Sequence, residues 1–207
     1  PRGGLVLMGA DHDTPGPDGR TPLSVLLDRG VFPRVQSTPD AAAIAAKARA
    51  LDLVRRPAFG QVARRIVAGA QALAEAFVRR GYAVATGGTD NHLVLLDLTP
   101  LGLTGAVAEQ ALRECGILAN RNPIPGDTRS PLVSSGLRLG TNILAQRGMG
   151  PEETTYCAEL IDRVLTATRA EDDTRYRLDP SVADRVRAEV AVLCHRFPVP
   201  MYSGDAA

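Results

Sequence analysis

The pattern of apolar and polar positions changes texture along the chain. Gly4 to Met8 is a short apolar run flanked by glycine, which predicts a buried strand. Asp11 to Arg20 (DHDTPGPDGR) is crowded with turn formers and predicts a surface insertion. From Pro39 to Arg55 the chain is rich in alanine and other strong helix formers. Pro57 to Arg80 then places Val62, Ile66, Ala70, Leu73 and Phe77 close to helical spacing, so a second long helix follows the first and stops at Gly81. Beyond Gly81 the runs shorten. Tyr82 to Ala85 and Leu93 to Leu98 read as strands, Thr104 to Gly116 as a helix, and Ile117 to Ala119 as another strand, together the β-β-α-β unit of a small α+β domain. Pro151 to Thr168 and Pro180 to Arg196 each open with proline where a first helical turn tolerates it, and predict two closing helices. Glu171 to Tyr176 (EDDTRY) reads as a charged linker, and no internal repeat is visible.

Composition narrows the picture. A chain of 207 residues, 44% of them hydrophobic, can bury a real core, and a formal charge of +1 demands no polyanionic partner. The basic pairs Arg55-Arg56, Arg64-Arg65 and Arg79-Arg80 fall on helices among acids, which favours a solvated face over a nucleic-acid stripe. Cys115, Cys157 and Cys194 form no CxxC pair and no zinc-spaced Cys/His set, so they are expected as reduced thiols in a cytoplasmic protein. The longest apolar stretches are far shorter than the roughly 20 residues that cross a bilayer, and export is not expected. The chain opens on Pro1-Arg2-Gly3-Gly4 with an immediate apolar run and no initiator Met, and the expectation is that it was cut from something longer.

Two long motifs carry a family resemblance. Thr86 to Leu98 (TGGTDNHLVLLDL) resembles the TGGTDNHLVLVDL segment of serine hydroxymethyltransferases. Ile117 to Arg147 (ILANRNPIPGDTRSPLVSSGLRLGTNILAQR) is similar in order and spacing to that family's stretch running from Asn-Lys-Asn through Ser-Pro and Ser-Gly to Arg and Gly-Thr. Val31-Phe32-Pro33, Ile44 to Ala48 and Cys194 to Val199 resemble its flanking motifs, so the likeness covers nearly the whole chain. It implies an α/β architecture, the fold-type-I arrangement of pyridoxal-phosphate transferases. Residues 1–55 would close the large cofactor-binding domain, 56–81 would form a connecting long helix, and 82–207 would be the small C-terminal α+β domain.

The resemblance also implies roles. In the family, Pro-Arg-Gly-Gly follows the cofactor-bearing lysine by a few residues, so that lysine would precede Pro1. Either the chain was broken near a modified lysine or the enzyme is assembled from two polypeptides, the first being preferred because a cofactor loop is a costly place to divide a fold. No catalytic residue is then assigned to this chain itself. Arg138 sits between apolar neighbours, and a buried arginine needs a carboxylate. Its partner is either an internal Asp or Glu, or an amino-acid ligand matching the guanidinium fork; the resemblance selects the substrate carboxylate. Arg2 resembles a position near the cofactor, the alternative being a plain surface charge, and Gly3 and Gly4 would let that loop pass close to the ring. Ser37 and Thr38 stand where the family usually reads Gly-Gly before proline, a backbone site for the cofactor phosphate of the neighbouring subunit at a helix start; simple N-capping is the competing reading. Asn120, Arg121, Asn122 and Ser130-Pro131-Leu132 fall in one long loop held by Pro123, Pro125 and Asp127, and the matching family positions of Asn122, Ser130, Pro131 and Leu132 touch tetrahydrofolate. A proline-pinned structural loop is the alternative there. Asp90 and His92 read as a structural hinge rather than acid/base groups.

The chain is thus expected to serve a hydroxymethyltransferase that uses pyridoxal 5'-phosphate and takes tetrahydrofolate as co-substrate, with serine or glycine as amino-acid substrate. The missing N-terminal half of the fold would be its partner, in a homodimer or higher assembly with shared active sites, and no nucleic acid or membrane is expected. Asp28-Arg29-Gly30 and Asp40-Ala41-Ala42 depart from the family's pattern at the expected subunit boundary, which admits a specialised paralogue acting on an α-substituted amino acid. The alternatives are an aldolase or transaldolase of β-hydroxy amino acids without folate, and a non-catalytic partner subunit of a split enzyme.

Overall fold

The protein is described by a computed structural model covering residues 3–200, and the chain divides into two compact units at Phe59 and Gly60. In the first unit, the turn-rich insertion is closed by a bridge between Pro15 and Pro22 and leads into α1 (Leu23–Arg29). A kinked stretch at Gly30–Val35, with Phe32 extended, connects α1 to α2 (Ala41–Val54). Asp40 caps α2, its carboxylate accepting the Ala43 N–H at 3.0 Å. At the other end Asp52 accepts from Arg49, Arg55 and Arg56 at 2.8 to 3.0 Å, so this basic pair is neutralised locally. Those arginines, Arg56 first, hold the Asp52 carboxyl below the usual carboxylate range.

The expected strand at Gly4 to Met8 is absent. These residues pair with no strand among the described residues, and Leu5, Val6 and Leu7 are exposed. A buried strand needs neighbours to complete its ladder and cover its faces, and the described residues of this unit supply none.

The second unit is built on α3 (Pro57–Arg79), whose inner face buries Ala70, Leu73 and Phe77 as the spacing predicts. Then come β1 (Ala83–Val84), β2 (Leu93–Asp97), α4 (Gly105–Glu114), β3 (Asn120–Asn122), β4 (Gly136–Gly140) and α5 (Asn142–Gln146). The chain closes with α6 (Pro151–Ala167), the hairpin β5 (Thr168–Ala170) and β6 (Tyr176–Leu178), and α7 (Pro180–Arg196). The main sheet is antiparallel throughout, in the order β1-β2-β4-β3. Its strands alternate: Val94, Leu96, Leu137 and Leu139 enter a core shared with α3, α4, α6 and α7, while Leu95 and Arg138 face the other way. Each large aliphatic side chain buried there contributes about 1.5 to 3 kcal/mol.

Two expectations shift. Ile117 to Ala119 is not a strand: Gly116 turns the chain with φ +79°, Ile117 closes the α4 end, and pairing starts only at Asn120. Glu171 to Tyr176 is not a linker but the turn and return of the β5–β6 hairpin, organised by Asp172, whose carboxylate accepts from the amides of Thr174 and Arg175. Both closing helices begin at the predicted prolines. Cys115 is buried and Cys157 and Cys194 are half-buried, all three unbridged, and burial pushes the Cys157 thiol up to about 11. Among the described residues, no helix is long and apolar enough to cross a membrane.

Candidate functional site

The sequence Gly-Leu-Arg-Leu-Gly forms β4, where period-two alternation sends both leucines into the core and Arg138 outward. This corrects the expected burial of Arg138, which is exposed: its apolar neighbours in sequence lie on the opposite face of the sheet. Register pairs Arg138 directly with Asn120 on β3 and with Leu95 on β2. The Arg138 Nε donates to Asn120 Oδ1 at 3.1 Å, and Asn120 Nδ2 donates to the Arg121 carbonyl at 2.7 Å. No carboxylate lies within ion-pair distance of Arg138 among the described residues, so the internal Asp or Glu partner weighed from sequence is not there. The guanidinium lines a depression of about 390 Å³ bordered by His92, Leu118, Asn120, Asn142 and Ile143. His92 is half-buried at its rim and holds the turn into α5 by accepting the Thr141 N–H on its carbonyl at 3.1 Å. Asp90 and Asn91 form a local turn before β2, with Asn91 Oδ1 accepting the Leu93 N–H at 2.9 Å.

Asn122 ends β3 rather than lying in a loop, and its Nδ2 donates to the Pro123 carbonyl at 2.7 Å. The loop proper runs from 123 to 135, with Ser130, Pro131 and Leu132 exposed on it. Asp127 gathers it. One carboxylate accepts from the amides of Ile124, Arg129 and Ser135 and from the Ser135 hydroxyl, at 2.7 to 3.3 Å. These bonds, the Arg129 amide first, hold its carboxyl at about 2, so the tether is intact well below neutral pH. Ser134, buried at φ +57°, accepts the Gly105 N–H on its carbonyl at 2.9 Å, and Val133 accepts from Ala106 at 3.0 Å. The loop's return is thereby fixed to the start of α4. That contact is close because α4 opens on glycine: a Cβ on Gly105 would lie 2.5 Å from the Gly136 carbonyl oxygen; Gly136 in turn lets β3 approach β4, since a Cβ there would lie 2.6 Å from the Asn122 carbonyl oxygen. The Asp127 anchor is legible from sequence; the Asn120–Arg138 bond, between residues far apart in the chain, carries no signal there.

Ser37 and Thr38 lie in the first unit, exposed, ahead of α2, and neither caps it. The competing N-cap reading does not hold, because Asp40 takes the cap with its carboxylate on the Ala43 N–H, and an anion on the cap amides themselves would meet like charge. The amides and hydroxyls of Ser37 and Thr38 make no hydrogen bond among the described residues, so a phosphate has donors there, outside the cap. Arg2 lies outside the described residues, as does the start of the Pro-Arg-Gly-Gly turn.

Comparison with known proteins follows the same residues. The family model described as serine hydroxymethyltransferase matches residues 1–161. A serine hydroxymethyltransferase of Salinispora tropica is 46% identical over 206 residues, an overlap covering 96% of this chain and 41% of that relative. The chain spans about two fifths of the length of the curated relative it matches.

Proposed function

Since this chain belongs to the serine hydroxymethyltransferase family, we propose that it forms the C-terminal part of a pyridoxal-phosphate enzyme moving a one-carbon unit between serine or glycine and tetrahydrofolate. The observation that carries this reading is the Arg138 fork. A guanidinium anchored at Nε by a neutral acceptor, with no carboxylate partner among the described residues and a depression beside it, suits the carboxylate of an amino acid.

The division of labour follows from the residues. Pyridoxal 5'-phosphate, when bound, supplies an electron sink for the amino acid's Cα. Arg138 holds the carboxylate with two parallel bonds and so fixes the plane of the substrate, which decides which Cα bond lies in position to break. Ser37 and Thr38 offer amides and hydroxyls to the phosphate of a neighbouring subunit in a homodimer, with Arg2 toward the cofactor. Asn122, at the end of β3, and Ser130-Pro131-Leu132, on the loop that Asp127 tethers, face the folate. We place the enzyme in the cytoplasm, with residues 1–55, 56–81 and 82–207 as large-domain end, connecting helix and small domain.

The test is folate dependence in the complete enzyme. Serine should be converted to glycine only when tetrahydrofolate is supplied, and serine should be preferred over its α-methyl analogue unless the changed residues around Ser37 to Ala42 mark a specialised acceptor. Asn122→Ala should raise the apparent Kd for tetrahydrofolate roughly tenfold, the effect of losing one hydrogen bond of about 1 to 1.5 kcal/mol. Equal turnover of β-hydroxy amino acids with and without folate would replace this reading by the aldolase one.

A further inference from the structure

The bond between Asn120 and Arg138 does more than join two strands. Asn120 is half-buried and held from both ends of its amide: Nδ2 is committed to the Arg121 carbonyl, which turns Oδ1 toward the Arg138 Nε. The amide therefore cannot reverse without placing an NH2 against a cation. Cross-strand register puts the two residues directly opposite each other on one face, the separation at which paired side chains meet.

An arginine can grip a carboxylate side-on, through Nε and one terminal nitrogen, or end-on, through both terminal nitrogens. With Nε already donating to Asn120, the side-on grip is closed and the end-on fork remains. The acceptor is also neutral. A carboxylate at the same place would hold the guanidinium equally well but cancel the charge that an incoming anion needs.

We propose that Asn120 is a positioning residue for amino-acid recognition: it fixes Arg138 in the end-on orientation without neutralising it. The inference rests on the reading of Arg138 as the carboxylate's partner, and its test separates the two. Glycine binding to the complete, cofactor-loaded enzyme is measured by calorimetry for the parent, Asn120→Ala, Asn120→Asp and Arg138→Ala, beside the thermal midpoint of each.

Asn120→Ala should weaken glycine about tenfold, the scale of one hydrogen bond to a charged group. Asn120→Asp keeps the shape and the bond to Nε, now as an ion pair, but turns a carboxylate oxygen onto the Arg121 carbonyl that Nδ2 held, so its thermal midpoint should stay close to the parent's. Its glycine affinity should nevertheless fall further than that of Asn120→Ala. If the bond were only a strand-to-strand tie, Asn120→Asp would restore parental binding, and that result overturns the inference. So does an unchanged Kd in both Asn120 variants while Arg138→Ala loses glycine, an outcome that leaves the role of Arg138 standing. Parental binding by Arg138→Ala removes both. The near-isosteric Asn120→Asp keeps the comparison decisive should Asn120→Ala fail to fold.

Discussion

Replacing Arg138 by alanine or by lysine is expected to lower kcat/KM for serine by at least about two orders of magnitude while leaving cofactor content unchanged. Arg138 stands exposed on β4 with Asn120 on its Nε and, among the described residues, no acid beside it, so its charge is open to a ligand. Enclosing a substrate carboxylate without a cation costs several kcal/mol, which accounts for the alanine variant. Lysine keeps the charge but presents a single point on a flexible stem. It cannot form two parallel bonds, and an amino acid free to rotate about one contact no longer holds its Cα bond in the reactive direction. The measurement is a spectral titration of each cofactor-loaded variant with serine, beside a cofactor assay. A saturating response of Arg138→Ala at parental serine concentrations would show that the carboxylate is held elsewhere.

Gly136→Ala should destabilise the second unit by about 3 kcal/mol, the upper range for forcing an extra methyl into a packed site. The new Cβ would meet the Asn122 carbonyl oxygen at 2.6 Å, Ile124 Cγ2 at 2.7 Å and the Leu96 carbonyl oxygen at 3.0 Å. Two of these are backbone atoms on the strands either side of β4. Relief therefore requires parting the ladder that pairs Gly136 with Asp97 and with Asn122. Gly88→Ala is the control, since nothing lies within 4 Å of the position its Cβ would take. Chemical denaturation of the two variants should place Gly88→Ala within about 0.5 kcal/mol of the parent. Equal stability of both variants would show that the sheet relaxes around the methyl at no cost.

What could be read from the sequence divides by the range of the forces involved. Helices α2, α3, α6 and α7 are set by local propensity, spacing and proline at the first turn, and they fall where the pattern puts them. Thr104 likewise starts α4 as expected, its hydroxyl accepting the Val107 N–H at 3.1 Å. Strands need partners, and there the pattern misleads: Leu5 to Met8 has strand composition without a ladder, whereas the polar Asn120–Asn122 has a ladder without strand composition. The exposure of Arg138 was available in principle, since alternation with Leu137 and Leu139 puts it on the far face; the apolar neighbours were mistaken for surroundings. The Asp40 cap, three residues beyond Ser37, removes the capping role weighed for Ser37 and Thr38 by a hydrogen bond that only coordinates display. Family motifs single out Arg138, Asn122 and Ser130, but the bond from Asn120 to Arg138 is a property of register alone.

The β5–β6 hairpin also bears on the order of events in time. Ala170 and Tyr176 pair across a turn that Asp172 pre-forms, and this brings α6 and α7 together at the cost of closing only a short loop. Joining β2 to β4, by contrast, requires Leu95 to find Arg138 across the whole of α4 and the 123–135 loop. The expected sequence is a C-terminal helical hairpin that forms early and a sheet that closes onto it afterwards. Pulse-labelled hydrogen exchange during refolding should accordingly protect amides of α6 and α7 before those of β3 and β4; simultaneous protection would show a single cooperative step. On this order, Arg138 and Asn120 come into register last, so the proposed carboxylate grip is assembled only once the frame is complete.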